Sequence, residues 1–95
     1  MELFGQARLL AGRAALALEV PEGASVRMAV LVLAKACPSL VGPVLLPDRS
    51  APGVAYTLCL NGRAFLADLE MPLAAGDALL LLPAASGGEM VGELR

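Results

Sequence analysis

The sequence has no histidine, only two cysteines and only 3% aromatic residues. Cys37 and Cys59 are too few for a disulfide scaffold and lack metal-ligand spacing, which is consistent with a reducing cytoplasm. Leucine, valine and alanine must therefore fill the core. A hydrophobic content of 58% over 95 residues is enough for one domain.

Clusters of basic residues are also missing. Seven lysines and arginines stand against nine acidic residues, and they are scattered along the chain, which argues against a nucleic-acid partner. No apolar run approaches the roughly 18 residues that a membrane span needs. Glu2 stands where a signal peptide would carry basic residues. We therefore expect a cytoplasmic protein with no membrane and no nucleic-acid partner.

The strongest helical pattern follows Ser25, which is placed to cap the first turn by accepting a backbone N–H bond. Apolar residues recur at intervals of three and four over 26–34. Pro38 is expected to end this helix. A single helical turn is expected over 8–12, because Gly12 can adopt the left-handed conformation that stops it.

Alternating positions predict strands over 15–20 and 54–60, and short extended or apolar segments predict the other strands. They are expected over 1–7, 15–20, 54–60, 63–67 and 78–82. The first two are expected to pair as a hairpin, and Asn61-Gly62 predicts a second hairpin through a type I′ turn. The proline-rich segment 38–53 is expected to be a long connection, and 69–73 one turn of 3₁₀ helix.

One helix over a mixed sheet of about five strands is the β-grasp arrangement of ubiquitin-like proteins, an α+β fold. In this arrangement the first and last strands lie side by side and parallel, with a right-handed crossover. We expect a β-grasp domain over 1–83, a flexible Gly-Gly tail over 84–88 and a C-terminal extension over 89–95.

The last strand and the tail have the most distinctive composition. Four consecutive leucines over 79–82 leave no polar side, so this strand would present apolar groups on both faces of the sheet. Pro83 lacks a hydrogen-bond donor and is expected to end the pairing. The segment 84–88 has almost no side-chain bulk, which suits a narrow channel; an ordinary disordered terminus has the same composition.

Five segments, in this order and spacing, carry a family resemblance. They are 3–12 (LFGQARLLAG), 20–26 (VPEGASV), 60–62 (LNG), 73–77 (LAAGD) and 81–88 (LLPAASGG). Together they resemble the small subunit of molybdopterin synthase over residues 1–88, with only the proline-rich segment unmatched. The Ser-Gly-Gly ending after a Leu-Pro pair favours this family over the similar sulfur carriers of thiamine biosynthesis.

The resemblance implies a sulfur carrier that is not an enzyme on its own. In the family, the carboxylate of the second glycine, here Gly88 beside Gly87, is adenylated with ATP by an enzyme resembling ubiquitin-activating enzymes. A sulfur donor carrying a persulfide then displaces AMP and leaves a thiocarboxylate. The tail next enters the large subunit of molybdopterin synthase, where the sulfur passes to cyclic pyranopterin monophosphate in molybdenum cofactor biosynthesis. No cofactor and no metal is implied.

The sequence departs from the family pattern after Gly88. Residues 89–95 (EMVGELR) follow, and with that peptide bond in place there is no carboxylate to adenylate. We expect trimming after Gly88, because a small-residue arm is a good protease substrate. Two alternatives stay open: a remnant of a fusion, and a ubiquitin-like interaction module without thiocarboxylate chemistry. Sulfur carriage for thiamine or cysteine biosynthesis also stays open.

The residues expected to contact the partner proteins are large and apolar or lie in the last strand and tail: Phe4, Phe65, Leu79, Leu81, Pro83 and Ser86. If the large side chains lie on the outer side of the sheet, they form a docking patch, since a contiguous exposed apolar area usually marks an interface. The alternative is that they belong to the core.

Carboxylates and thiols are the other candidate groups. Asp68, Glu70 and Asp77 could form a carboxylate cluster for acid–base chemistry. Because the sequence has no histidine, we favour solvated or turn roles for them. Cys59 in a strand pattern and Cys37 at a helix end are expected to be small buried hydrophobes rather than sulfur relays.

Overall fold

Short strands and two helices make up the fold, and the computed structural model describes it over residues 1–84. The elements in order are β1 (Glu2–Leu3), α1 (Gln6–Ala11), α2 (Val26–Ala36), a 3₁₀ turn (Pro38–Leu40), β2 (Tyr56–Leu60), β3 (Ala64–Phe65) and β4 (Leu79–Pro83). In this part of the chain no helix is long and apolar enough to cross a membrane.

The four strands form one mixed sheet in the order β1-β4-β2-β3. β1 is parallel to β4, and the other two pairs are antiparallel. The predicted parallel pair of first and last strands is therefore confirmed. With α2 packed on one face of the sheet, the α+β β-grasp fold is confirmed as well.

The strand expected over 15–20 is reduced to a single antiparallel bridge between Glu2 and Ala15. The Leu3 N–H donates to the Ala14 carbonyl at 2.8 Å, and the Leu16 N–H donates to the Met1 carbonyl at 2.9 Å. β1 is only two residues long, so it offers little backbone for a partner to pair with. The alternation over 15–20 instead reflects apolar side chains packed against the core.

Helix α2 forms as predicted. The Ser25 hydroxyl accepts a hydrogen bond from the Met28 N–H at 3.2 Å, which satisfies one free donor of the first turn. The buried residues of α2 lie on the predicted stripe and are Val26, Ala29, Val30, Leu33 and Ala34. Pro38 comes directly after the C-cap residue of α2 and begins the 3₁₀ turn Pro38–Leu40.

Segment 69–73 holds the start of α2. One turn closes over 68–71, where the Met71 N–H donates to the Asp68 carbonyl at 3.4 Å, but the 3₁₀ turn predicted over 69–73 does not form. The Val26 N–H donates to the Met71 carbonyl at 3.0 Å, and the Arg27 N–H donates to the Leu69 carbonyl at 2.8 Å. Both carbonyls point toward α2, so neither of them closes a turn within the segment. They satisfy two more of the donors that a helix N-terminus leaves free.

The proline-rich segment 38–53 is anchored to the core through three fully buried side chains, Leu40, Val44 and Leu45. The Gly53 N–H donates to the Val44 carbonyl at 2.7 Å, so the segment closes on itself. The expected long connection is confirmed, with one addition, the 3₁₀ turn at its start.

Leu81 lies in the centre of the core and is fully buried, with Leu3 and Leu58 opposite it on the two neighbouring strands. We expect Leu81→Ala to lower the free energy of unfolding by about 2–5 kcal/mol, because it removes buried methyl groups and leaves a cavity. Leu9→Ala is the control, since Leu9 is 81% exposed. It should change stability by less than about 0.5 kcal/mol. Urea unfolding measures both, and equal effects of the two substitutions would contradict this packing.

Candidate functional site

The four leucines of β4 divide between the two faces of the sheet. Leu79 and Leu81 are 5% and 0% exposed and belong to the core, whereas Leu80 and Leu82 are half-buried on the opposite face. The prediction that this strand presents apolar groups on both faces is therefore confirmed.

Leu79 and Leu81 are not available to a partner protein, so their assignment to a docking patch is corrected: both are core residues. A run of identical leucines cannot show which alternate set points inward, and a shift of one residue exchanges the two faces. Leu80 and Leu82, which sequence reasoning missed, take the outward positions. The sequence feature that indicates this orientation is in β2, where the large residues Tyr56, Leu58 and Leu60 alternate with the smaller Thr57 and Cys59.

The strand register defines an outer sheet face, on the side away from α2. Cys59 lies opposite Leu80 on one side and Phe65 on the other, and Thr57 lies opposite Leu82. Directly opposed residues share a face of the sheet. Leu3 faces the core, so the next residue, Phe4, lies on the opposite side, together with Leu80 and Leu82. The outer sheet face comprises Phe4, Thr57, Cys59, Phe65, Leu80 and Leu82, and the exposed Glu2, opposite Leu80 on β1, places one negative charge at its edge.

The outer sheet face is mostly apolar and only partly covered by residues 1–84. None of its six members belongs to the hydrophobic core or packs against it. Phe65 is 71% exposed, Phe4 is half-buried, and Cys59 is buried among its neighbours at 6% exposure. A contiguous exposed apolar area is typical of interaction surfaces, so this face is the candidate docking surface. Phe4 and Phe65 lie on it, and their role in partner binding stays a prediction.

The exit of the tail lies at Pro83, which ends pairing on one side of β4 only. The last bond to β1 is from the Phe4 N–H to the Leu81 carbonyl at 3.1 Å. On the other side the Ala84 N–H still donates to the Ala55 carbonyl at 2.7 Å. Because antiparallel bonds alternate, the missing donor of Pro83 points away from β2. The prediction that Pro83 ends all pairing is therefore wrong by one residue.

Gly5 packs against the Pro83 ring at the tail exit. Its φ is +65°, a conformation that favours glycine, and a Cβ at this position would lie 2.7 Å from the Pro83 Cγ. This contact fixes β4 where the tail begins. Ser86, Gly87, Gly88 and the extension 89–95 lie outside the described residues, so their assignments stay predictions.

A polar lock holds the β2–β3 hairpin against the start of β4. The Asn61 Nδ2 donates to the Asp77 Oδ1 at 3.2 Å, and the Ala78 N–H donates to the Asn61 Oδ1 at 2.8 Å. Asn61 and Gly62 both have positive φ, as the predicted turn requires. The Ala74 N–H donates to the Asp77 Oδ2 at 2.8 Å. Asp77 is therefore a turn residue.

The remaining candidates also have structural roles. Asp68 accepts a hydrogen bond from the Glu70 N–H at 2.9 Å, and Glu70 pairs with the Arg27 Nε at 2.6 Å. Among residues 1–84 no group of three or more acidic, cysteine or histidine side chains is placed to hold a metal ion. Cys37 and Cys59 are buried free thiols, as expected.

A β-grasp sheet with an apolar outer face, whose central strand leads into a Gly-Gly segment, defines a ubiquitin-like protein. Two crystal structures of small archaeal modifier protein 1 (SAMP1) from Haloferax volcanii are similar to it. One is 33% identical with a TM-score of 0.75, and the match covers 92% of this chain and 94% of that protein. The other is 31% identical with a TM-score of 0.75, covering 88% and 93%.

The chain therefore belongs to the ubiquitin-like family of sulfur carriers and small modifier proteins. No protein-family model matches the sequence, and no curated protein does.

The Gly5–Pro83 contact can be tested with two glycines of positive φ. Gly12 has φ +75° with no neighbour near its missing Cβ, so Gly12→Ala should cost only the left-handed conformation, about 1–2 kcal/mol. Gly5→Ala adds the clash with Pro83 and should cost about 3 kcal/mol or more in total. Pro83→Ala should restore part of the stability lost by Gly5→Ala and none of that lost by Gly12→Ala. Gly5 has ψ −140° whereas Gly12 is left-handed with ψ 17°, so part of the difference in cost comes from the backbone, and the rescue is the measurement that isolates the contact. Absence of rescue by Pro83→Ala would rule out the contact.

The Asp77 lock makes stability depend on pH. Hydrogen bonds from the Ala74 N–H and then from the Asn61 side chain lower the pKa of Asp77 below its usual value. The charged form is favoured in the folded state, so its stabilisation is complete above about pH 4 and is lost as the pH falls through the lowered pKa. The Ser50 hydroxyl and N–H likewise lower the pKa of Asp48.

Asp77→Asn should therefore be less stable than the unmodified protein at pH 7, and the gap should narrow below about pH 4. Urea midpoints between pH 7 and the acid range measure it. Asp48 is retained in both proteins, so its contribution cancels from the difference. A gap that does not change with pH would contradict the role given to the Asp77 carboxylate.

Proposed function

We propose that this chain is a sulfur carrier that acts as the small subunit of molybdopterin synthase. It carries sulfur as a thiocarboxylate on Gly88 and donates it to cyclic pyranopterin monophosphate in molybdenum cofactor biosynthesis. The observation that carries the proposal is the course of β4. This central strand is held on both sides up to Pro83 and then continues toward the Ser-Gly-Gly segment beside an apolar outer sheet face.

The chemistry requires activation by a second protein. A carboxylate is a poor electrophile, so its oxygen first attacks the α-phosphate of ATP and releases pyrophosphate. The resulting acyl adenylate has AMP as a good leaving group, which the outer sulfur of a persulfide donor displaces to give an acyl disulfide. A second thiol of the donor then attacks the donor's own sulfur, so that the S–S bond to the carrier breaks, a disulfide forms on the donor and the thiocarboxylate remains on Gly88. The carrier contributes backbone only, because Gly87 and Gly88 let the chain enter a confined site without side chains. The carrier is thus a co-substrate, with no catalytic role of its own.

The outer sheet face is the proposed docking surface for both partners. The adenylating enzyme and the large synthase subunit must each receive the same tail, and the tail begins at the end of this face. Exposed aromatic side chains such as Phe65 are typical anchors of interfaces. Two partners that use one surface exclude each other, so activation and sulfur transfer occur in succession.

A second function is supported by the match to SAMP1, whose name describes a modifier protein. The acyl adenylate on Gly88 is also an electrophile for amines. Attack by a lysine of another protein would attach this chain through an isopeptide bond. Both functions share the activation of Gly88, and they differ in the nucleophile that follows.

Both functions require Gly88 to end in a free carboxylate, so the extension 89–95 is proposed to be removed. We expect the intact mass of the protein from its native cells to correspond to residues 1–88. Part of it should be heavier by about 16 Da, because sulfur replaces one oxygen. Only the 95-residue mass, under conditions that demand molybdenum cofactor, would contradict trimming and the proposed function.

The docking surface can be tested with matched exposed apolar residues. Phe65→Ala should weaken binding to the large subunit by about tenfold or more, since a buried aromatic anchor at an interface typically contributes over 1 kcal/mol. Leu9→Ala, at a more exposed site on α1, is the control and should leave the dissociation constant unchanged. Calorimetric titration measures both, with thermal unfolding to confirm the fold. Equal weakening by the two substitutions would place the interface elsewhere.

A further inference from the structure

The chain has very few amines that an activated carboxylate could acylate. Lys35 is the only lysine in the sequence, and the other basic side chains are arginines. The remaining amine is that of Met1. It donates a hydrogen bond to the Leu16 carbonyl at 2.6 Å and is partly buried. Of these two amines, only Lys35 is fully presented to another molecule.

Lys35 lies in the last turn of α2, on the side away from the core. Its side chain is exposed and makes no ion pair within residues 1–84. Leu31 and Met28 precede it by four and seven residues, so they lie on the same helix face. They are 43% and 37% exposed and give that face an apolar contact area beside the amine.

The outer sheet face and Lys35 lie on opposite sides of the domain. α2 packs on the inner face of the sheet, and its exposed side points away from that sheet. A copy modified at Lys35 would therefore keep its outer sheet face free for the activating and docking partners.

We propose that Lys35 is a modification site, the amine through which one copy of this chain is linked to the Gly88 carboxylate of another. The proposal rests on the proposed activation of Gly88 and on the modifier function. Each copy then has one donor group and one acceptor group. The product is an unbranched polymer with a single type of linkage.

The linking step balances without a redox partner. ATP and the Gly88 carboxylate give the acyl adenylate and pyrophosphate on the adenylating enzyme. The lone pair of the deprotonated Lys35 Nζ attacks the Gly88 carbonyl carbon, and the bond from that carbon to the AMP oxygen breaks. AMP leaves with the electron pair, and the nitrogen loses a proton to solvent. An isopeptide bond results.

Tryptic digestion of the full chain, expressed in its native cells and isolated with an antibody, tests the proposal. Trypsin cuts after arginines 27, 49 and 63, so a Lys35 linkage joins peptide 64–88 to peptide 28–49 in one branched product. We expect this product from the unmodified chain and its complete loss in K35R, which keeps the charge. R8A removes a different exposed charge and should leave the product unchanged.

The linear peptides separate the possible failures. Peptide 64–88 with a thiocarboxylate end, but without any branched product, would overturn the Lys35 linkage and leave the proposed function intact. Branched products that persist in K35R, through the Met1 amine, would also overturn it. Only peptide 64–95 would show that Gly88 is never freed, and both proposals would then fall.

Discussion

Backbone hydrogen bonds from β4 to β1 on one side and to β2 on the other hold the sheet of this domain together. They place the last strand of the fold in the middle of the sheet, where Leu79 and Leu81 complete the core beneath α2. The same pairing turns Leu80 and Leu82 outward and aligns them with Phe4, Thr57 and Cys59. The core and the outer sheet face are thus built from the two faces of one strand.

The central position of β4 also explains how the tail can be presented to a partner. The strand is hydrogen-bonded to β2 up to Ala84 and packs through Pro83 on Gly5, so its direction is fixed by contacts within the domain. A segment that starts from a fixed point costs less entropy to insert into a second protein than one that starts from a mobile loop.

Local signals in the sequence predicted the parts of the fold that local forces determine. The Ser25 cap, the α2 stripe and the Asn61-Gly62 hairpin each depend on residues close together in the chain. The prediction of a strand over 15–20 was wrong because the alternating apolar residues there pack against the core, and β1 is too short to pair with this segment. The outward leucines of β4 could not be assigned, since only the register with β2 distinguishes Leu80 from Leu79.

Both proposed functions require Gly88 to end in a free carboxylate that an adenylating enzyme activates. ATP–pyrophosphate exchange by that enzyme, purified from the same cells, can be compared between chains that end at Gly88 and at Arg95. We expect exchange with the chain ending at Gly88 and none with the 95-residue chain. Equal exchange with both chains, or none with the shorter one, would contradict this requirement.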